Sequence, residues 1–589
     1  MIAGPNRWTT LRRLFPVPFD RFPDFLRDMT ARYGNVFAFA LPWRSYVFVN
    51  EPAPIKEILV TQQHAFSKSL GTRVLRLLLG QGLLTSEEPL HRQMRRVVQP
   101  AFHRERIAEY AGIMERDARD FAERLKPGET FDAHAAMTEL TLRIATETLF
   151  GSDESDSARV VGDAMRLMMG EFPWLLTPIG SLRARLPFRN TRRFWKARAT
   201  LDAIIFDLIA RRRKDGATRT DALSLLLAAR DAETEHRPSD SQVRDEIMTL
   251  FIAGHETTAN ALTWALVLLA QHPEAEERAA AAGHGDRSYI DRVVKEVLRL
   301  YPPAWIIGRE TLQDVALSGG VTIPARTTVF FAPLLLHRRV EFFAEPERFN
   351  PDRWLGADPP PFSYVPFGGG ARRCIGEDFA REEIAIVLRA LLGRFRFALA
   401  ADAPIKMAPL VTLRPAGPVW MRAAVRESPV VFSIRHALPT DARQIGEVFD
   451  AAVADGWTYM GELARQPLFP PEEWDSVIAE HAPPNALLVA VDEADRVVGF
   501  TAVHPKECEM YLLFVHPDHA RRGVGRALLV AAHDALQAAG CRDAFLYTHE
   551  ENKRALAVYE AAGYRRDGTV RESDFRGLHQ REPRLVKLL

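Results

Sequence analysis

The sequence predicts two domains in series, the second of α/β class, and three observations support this. At 589 residues the chain exceeds the roughly 250 to 300 residues at which a single core usually stops growing. Near Val431 the pattern changes to short apolar runs alternating with helical periodicities, which reads as strands and helices in alternation. The part beyond that change is about 160 residues long, an ordinary domain length. The junction RAAVRESPVV is short and neither Gly- nor Ser-rich. The expected division is 1–424, a linker at 425–430, and 431–589.

From its N-terminus the chain gives no sign of a membrane or a nucleic acid. Lys plus Arg is 77 and Asp plus Glu 76, a formal net charge of +1, so neither nucleic acid nor an acidic partner is expected. The opening MIAGPNRWTTLRRLFPVPFDRF is broken by arginines and prolines, and no apolar run of 18 residues follows. Neither a signal peptide nor a membrane anchor is predicted, and the chain is expected to be soluble and cytoplasmic. Three cysteines cannot pair evenly and stand far apart, so no disulfide framework or zinc cluster is expected, and a reducing compartment fits.

Further along, LFIAGHETTANAL places an acid, Glu256, beside an alcohol, Thr257, a pair able to relay protons. It also opens an H-E-x-x-H pattern, but Ala259 stands where the second histidine should be, which argues against a zinc protease. KEVLRLYPP carries Glu296 and Arg299 three apart on one helical face. The stretch SYVPFGGGARRCIGEDF sets Cys374 after a glycine run and two arginines. A phosphate-binding loop would need Lys and Ser or Thr after the glycines, and Glu377 follows Gly376 instead. A thiolate reading remains: Arg372, Arg373 and the amides of a following helix favour the anion. That helix is predicted by Phe379, Ile384, Val387, Leu388, Leu391, Leu392 and Phe395 at three- and four-residue steps.

Phe367, Gly370, Arg372, Cys374 and Gly376 reproduce F-x-x-G-x-R-x-C-x-G, so residues 1–424 resemble the cytochrome P-450 haem-thiolate monooxygenases. The resemblance implies a mainly α fold with small β-sheets and haem b, with Cys374 as the iron ligand and Phe367 and Gly376 beside it. It implies that His91, Arg95, Arg309 and Arg372 hold the haem propionates, bidentate arginines suiting carboxylates. Arg92 and Arg96 read equally well as a solvated basic face. Glu256 and Thr257 take the role of proton delivery, and Ala253 and Gly254 fit the helix that crosses the haem. Glu296 and Arg299 with Arg348 of PERF become the family's buried structural triad. The segments SLGTRVLRLLLGQGLL and MRLMMGEFPWLLTPIG fall where the family builds its access channel and pocket roof, and their apolar content suits an apolar substrate. No flavin, nicotinamide or iron–sulfur segment is present in the sequence, so NAD(P)H electrons are expected through a separate ferredoxin or flavodoxin and its reductase.

In the second part, VVFSIRHA, NALLVAVD and RVVGFTAV read as strands, and MYLLFV runs into Gly523-Val524-Gly525 and a helix of period 3.6. Amides at that helix start can grip a pyrophosphate. A lone G-x-G is weak, but with ENKRALAVYEAAGYRRDG it resembles the GNAT acyltransferases. That implies an α/β fold with a central mixed sheet and acetyl-coenzyme A as donor. Phe514 and Val515, the amides around Arg521, Arg522, Gly523, Val524, Gly525 and Arg526, and Asn552 are then expected at the coenzyme. Tyr559 would protonate the departing thiolate, and Glu509 would be the general base. Ala520 departs from the Gln or Arg usual in the family, which predicts weaker coenzyme binding. The expected function is bifunctional: monooxygenation of an apolar small molecule and acetyl transfer to a small-molecule amine. The rival readings are a haem-based ligand sensor and a GNAT domain that only docks.

Overall fold

The computed structural model describes all residues except 1, 8, 11–20, 42–43, 152–163, 165–166, 169–185, 187, 216–219, 232, 236, 283–286, 402–403, 427–431, 482–484, 521 and 576–577. Most of MRLMMGEFPWLLTPIG, the junction from residue 427, and Arg521 therefore lie outside the described residues. The chain divides into two compact units, Met1–Arg426 and Glu427–Leu589.

The first unit is mainly helical. Numbering helices of nine residues or more, it contains α1 (Phe22–Tyr33), α2 (Leu90–Val98), α3 (Arg104–Arg124), α4 (Ala133–Phe150), α5 (Arg189–Asp215), α6 (Asp240–Gln271), α7 (Pro273–Ala282), α8 (Ser288–Leu300) and α9 (Glu377–Arg394). Its strands are short: β1 (Val36–Leu41), β2 (Arg44–Val49), β3 (Phe66–Lys68), β4 (Thr130–Asp132), β5 (Ile307–Thr311), β6 (Val315–Leu317), β7 (Val321–Ile323), β8 (Thr328–Phe331), β9 (Phe395–Leu399), β10 (Met407–Pro409), β11 (Leu413–Pro415) and β12 (Trp420–Val425). They form one five-stranded sheet, β1-β2-β8-β5-β3, a three-stranded sheet β4-β12-β9 and two hairpins.

The 32-residue α6 is the axis of this unit. Ser239 starts it with a capping box closed by Gln242, which satisfies two otherwise orphaned donors. Beyond Thr258 nearly every side chain is buried, as expected of a helix apolar all round. Trp264, Leu266 and Leu269 share one core with Met137 of α4, Val293 and Val297 of α8, and Ile384, Leu388 and Leu391 of α9. The periodicity that predicts a helix after Gly376 is thus the face α9 buries.

The second unit is α/β. Its strands are β13 (Phe432–His436), β14 (Ala486–Asp492), β15 (Val497–His504), β16 (Glu509–Val515), β17 (Asp543–Tyr547), β18 (Arg565–Phe575) and β19 (Leu578–Leu588), and its helices α10 (Ala442–Gly456), α11 (Pro471–Glu480), α12 (Val524–Ala538) and α13 (Lys553–Ala561). The sheet order is β13-β14-β15-β16-β17-β19-β18. Its pairs are antiparallel except β16 with β17, which are parallel and meet at one position, Glu509 with Phe545. The mixed sheet therefore parts between β16 and β17, beside α12.

One expectation fails here. Cys508 and Cys541 form a disulfide, with Cα atoms 5.7 Å apart, although the cysteine count argues against pairing. Thirty-three residues separate them, but both lie at the same end of the neighbouring strands β16 and β17. Sequence distance says nothing of that proximity.

Candidate functional site

The loop around Cys374 is shaped by backbone. Gly370 has φ +66°, and a Cβ there would stand 1.8 Å from the carbonyl oxygen of Leu59, so only glycine fits. The Cys374 N–H donates to the Phe367 carbonyl at 3.0 Å, closing the loop ahead of α9, which no side chain caps. The thiol is open to small molecules, yet burial in the surrounding protein is the largest influence on it and raises its pKa. The two facts agree if it faces an internal space. The Gly376 N–H bonded to the sulfur, with Arg95 and Arg373 nearby, pulls the other way. Arg372 does not help as expected. Its guanidinium donates to the Ser86 carbonyl at 2.7 Å and to Glu87 at 3.3 Å. Arg373 is half-committed to Glu377 at 2.7 Å.

Beside this loop lies a cluster of buried cations. Arg309 on β5 donates to the Gly308 carbonyl, and among the described residues it meets no carboxylate. Burial first, then Arg372, pushes its pKa down to about 10. Lys68 on β3 is held well below the ordinary lysine range by burial, Arg309 and Arg372. His91 on α2 is held down to about 3 by burial, Arg372, Lys68, Arg95 and Arg309, so it is neutral, with Nδ1 3.1 Å from Glu88. Arg95 donates to the Arg373 carbonyl at 2.8 Å. Glu87 and Glu88 are the acids that face this group. Cations that lower one another's pKa in a dry site call for an anion. The set fits the two carboxylates of a haem placed against Cys374. Lys68 belongs to it and carries no motif that would reveal it. Arg96 pairs instead with Asp231 at 2.8 Å, and Arg92 stays exposed.

On α6 one stretch departs from the buried pattern. Ala253 is exposed between the half-buried Ile252 and Gly254, and a Cβ on Gly254 would meet nothing within 4 Å. This smooth face borders free space, as a flat cofactor requires. The Thr257 hydroxyl donates to the Ala253 carbonyl at 2.6 Å. Glu256 accepts from the Thr412 hydroxyl at 2.7 Å, Thr412 lying in the turn between β10 and β11. Asn260 donates to Thr412 at 3.2 Å and stands 3.1 Å from His134 Nε2. Glu256 and Thr257 are therefore adjacent but not hydrogen-bonded to each other. Thr412 comes from 156 residues away, and nothing in the local sequence points to it.

The buried triad corrects an expectation. Arg299 holds Glu296 through two hydrogen bonds of 2.9 Å, both side chains fully buried. The third arginine is Arg353, 3.1 Å from Glu296, and not Arg348, whose exposed side chain pairs with Glu345. Arg348 contributes only its carbonyl, which accepts from Arg299 at 3.1 Å. A second P-x-R-aromatic copy, PDRW, follows PERF by five residues. That repeat is the missed signal.

In the second unit Gly523 has φ +88° and begins α12 without a side-chain cap, leaving first-turn N–H groups for an anion. A cavity of about 480 Å³ runs along these turns, lined by Gly523, Arg526, Ala527 and Val530 with Ile434 and Asp534. These features fit a coenzyme pyrophosphate. Phe514 and Val515 pair with Phe500 and Gly499 of β15, leading into the loop. A Cβ at Gly525 would lie 3.4 Å from Val515, so Val524 and Gly525 turn close to the strand. The Asn552 side chain caps α13 by accepting from the Ala555 N–H at 3.1 Å. The Tyr559 ring packs in the core with Leu556, Tyr564 and Leu585, and burial raises its phenol pKa, so the group holds its proton. Glu509 is mostly buried, and burial raises its pKa against the pull of His504 and Arg571. His504 and His481, close by, are not signalled by any motif.

Comparison with known proteins agrees with both halves. The model of the family described as Cytochrome P450 matches residues 2–420, and that of the Acetyltransferase (GNAT) family matches 454–564. Cyclooctatin synthase of Streptomyces melanosporofaciens is 36% identical over 416 residues, covering 67% of this chain and 90% of that protein. Cyclooctat-9-en-7-ol 5-monooxygenase of the same organism is 35% identical over 425 residues, 67% of this chain and 91% of that one. Pentalenene oxygenase of Streptomyces avermitilis is 35% identical over 356 residues, 57% and 78%. The crystal structure of the cytochrome P450DA heme domain matches with a TM-score of 0.65 and 26% identity, covering 72% of this chain and 99% of that one.

Proposed function

The chain belongs to the cytochrome P450 family and carries an acetyltransferase (GNAT) family domain, and on that premise we propose that it hydroxylates an apolar cyclic alkene or alkenol and transfers an acetyl group to a small-molecule amine. The observation that carries the first activity is the exposed Cys374 thiol beside a surplus of buried cations. The substrate class follows from the names of the similar oxygenases and from the apolar side chains of residues 69–84. No helix among the described residues is long and apolar enough to cross a membrane.

When bound, haem with a thiolate ligand supplies oxygen activation and the cleavage of O–O. The chain's residues supply the rest. Cys374 gives the thiolate, to which the Gly376 N–H donates. Lys68, His91, Arg95, Arg309 and Arg372 hold the propionates. Ala253 and Gly254 leave their face of α6 clear, where a flat group would fit. The Glu256 carboxyl, oriented by the Thr412 hydroxyl, and the Thr257 hydroxyl relay protons through a water, since the two side chains do not touch. Electrons come from external donors, which we take to be a ferredoxin or flavodoxin with its reductase.

In the second unit the N–H groups at the start of α12 hold the pyrophosphate of acetyl-coenzyme A. Glu509 takes the proton of the attacking amine, and Tyr559 protonates the leaving thiolate. The two activities act successively on one molecule. The experiment is a reduced carbon monoxide spectrum, followed by a spin-state screen with pentalenene and related alkenes and alkenols. Oxidised products are then offered with acetyl-coenzyme A. A chain whose reduced carbon monoxide complex lacks the thiolate band contradicts the first activity. Coenzyme A release unaffected by Glu509→Gln contradicts the base assignment.

A further inference from the structure

Beside Glu509, at the end of the hairpin between β15 and β16, stand two side chains that the reactions above do not use, His504 and His481. His504 and Glu509 are cross-strand partners at that end. His504 Nε2 lies 3.0 Å from His481 Nε2, and His504 Nδ1 lies 3.9 Å from Glu509 Oε2. The rings of His481 and His504 stack with centroids 4.9 Å apart, and Tyr511 stacks on His504 at the same distance.

The hydrogen-bond network fixes both tautomers. His481 Nδ1 stands 2.7 Å from the Val477 carbonyl, which can only accept, so that nitrogen carries a proton. A neutral His481 then has a bare Nε2, and burial favours its neutral form. Its partner across 3.0 Å must donate, so His504 carries its proton on Nε2. The lone pair of His504 Nδ1 is left facing the Glu509 carboxyl. The gap of 3.9 Å exceeds a hydrogen bond and suits one bridging water or a small rotation when substrate binds.

We propose that His504 and His481 form a positioning pair for acetyl transfer, in which His504 Nδ1 receives the proton that Glu509 takes from the acceptor amine. The inference rests on the reading of Glu509 as the base. As the amine nitrogen forms its bond to the acetyl carbon, its proton passes to the Glu509 carboxylate. The C–S bond breaks with its electron pair on sulfur, which is protonated separately. Glu509 then passes its proton to His504, which becomes an imidazolium and loses it to solvent. Glu509 needs this outlet because its side chain is 14% exposed against 24% for His504. Around the pair stand Glu480 beside His481, Glu507 in the turn, Tyr511 on β16, Arg571 on β18 and Glu582 on β19. His481, held neutral by burial with its Nδ1–H on the Val477 carbonyl, keeps Nε2 of His504 engaged so that Nδ1 remains the receiving atom.

Two substitutions separate a relay from a mere structural link. Glutamine at 504 reaches the Nε2 position and keeps the donor to His481 but loses the Nδ1 acceptor, whereas asparagine keeps a polar group near Nδ1 and loses the link. In the full-length chain, coenzyme A release from acetyl-coenzyme A is followed with 2-phenylethylamine, spermidine and water as acceptors. His504→Gln is expected to lower turnover about ten- to a hundredfold, within the range of proton-transfer effects, with an increased solvent deuterium isotope effect and unchanged KM for acetyl-coenzyme A. Nitrogen-15 NMR of histidine-labelled protein, assigned with the two variants, is expected to show His504 protonated on Nε2 and bare on Nδ1. Wild-type turnover in His504→Gln, or the opposite tautomer in an active wild type, overturns this inference alone. A wild type that consumes no acetyl-coenzyme A overturns the acetyl-transfer reading and this inference with it.

Discussion

Removing Arg353 and removing Arg348 should have very different effects, and the structure sets the scale. Glu296 is fully buried and accepts five hydrogen bonds: two from Arg299, and one each from Arg353, the Trp354 indole and the Asn350 N–H. Arg299→Leu leaves the acid short of its nearest cation and also strips donors from the carbonyls of His337, Pro346 and Arg348. Breaking a buried pair this way costs about 3 to 5 kcal/mol. Arg353→Leu leaves Arg299 in place, so the charge stays paired. The loss is one charged hydrogen bond and three carbonyl contacts, about 2 to 3 kcal/mol. Arg348→Leu removes an exposed pair with Glu345, worth at most about 0.5 kcal/mol. At about 2 cal/mol/K per residue, a unit of this length loses about 1 °C of Tm per kcal/mol. The expected shifts in the loss of haem absorbance on heating are thus about 4 °C for Arg299→Leu, about 2 to 3 °C for Arg353→Leu and under 1 °C for Arg348→Leu. Equal shifts for the last two would refute the assignment of Arg353 to the triad.

Four other outcomes are expected. Cys374→His should load haem if the loop accepts an imidazole, yet lose the thiolate-specific band of the reduced carbon monoxide complex; difference spectra decide this. Thr257→Ala should keep substrate-induced spin shifts while NADPH oxidation with surrogate redox proteins yields peroxide in place of product. Unchanged coupling speaks against the relay. Tyr559→Phe keeps the packed ring but removes the phenol proton, so coenzyme A release should fall by about 10² to 10⁴-fold at equal acetyl-coenzyme A affinity. Glu383 of α9 is buried and its carboxyl is raised to about 8 by burial. Because the folded value lies above the unfolded one, its stabilising effect is full below about pH 4.5 and is lost as pH rises through about 8. Glu383→Gln should raise the Tm of the first unit at pH 9 and leave it unchanged at pH 5, as a thermal melt series over pH would show.

How much of this was legible depended on whether the physics is local. The helix of α9, the loop glycines and the strand-to-helix turn at Gly523 each follow from residues within a dozen positions, and the sequence displays them. Arg353 was legible but masked by a nearer copy of its motif, because spacing alone does not say which arginine reaches Glu296. Lys68, Thr412 and the Cys508–Cys541 disulfide were not legible. Each is created by chain segments brought together only in the folded unit. A lysine on a three-residue strand looks like a surface charge until Arg309 and Arg372 are seen beside it.

That cationic cluster also links folding to the cofactor. Buried cations that depress one another's pKa cost free energy in the folded unit unless an anion joins them, and Glu87 and Glu88 are the acids facing them. A dianionic group placed there binds the folded state and not the unfolded one, so it stabilises the fold by mass action. The same reasoning explains why Cys374 can remain a thiol in the unit by itself: burial outweighs the Gly376 N–H and the guanidinium groups of Arg95 and Arg373. A metal bound there would set the thiolate, because a coordinating thiol is deprotonated outright. The arginines of the loop thereby have a different role from the one their spacing suggests. Arg372 ties the loop to Ser86 and Glu87, and Arg373 ties it to α9 through Glu377, so their charge fixes the position of the sulfur more than its protonation.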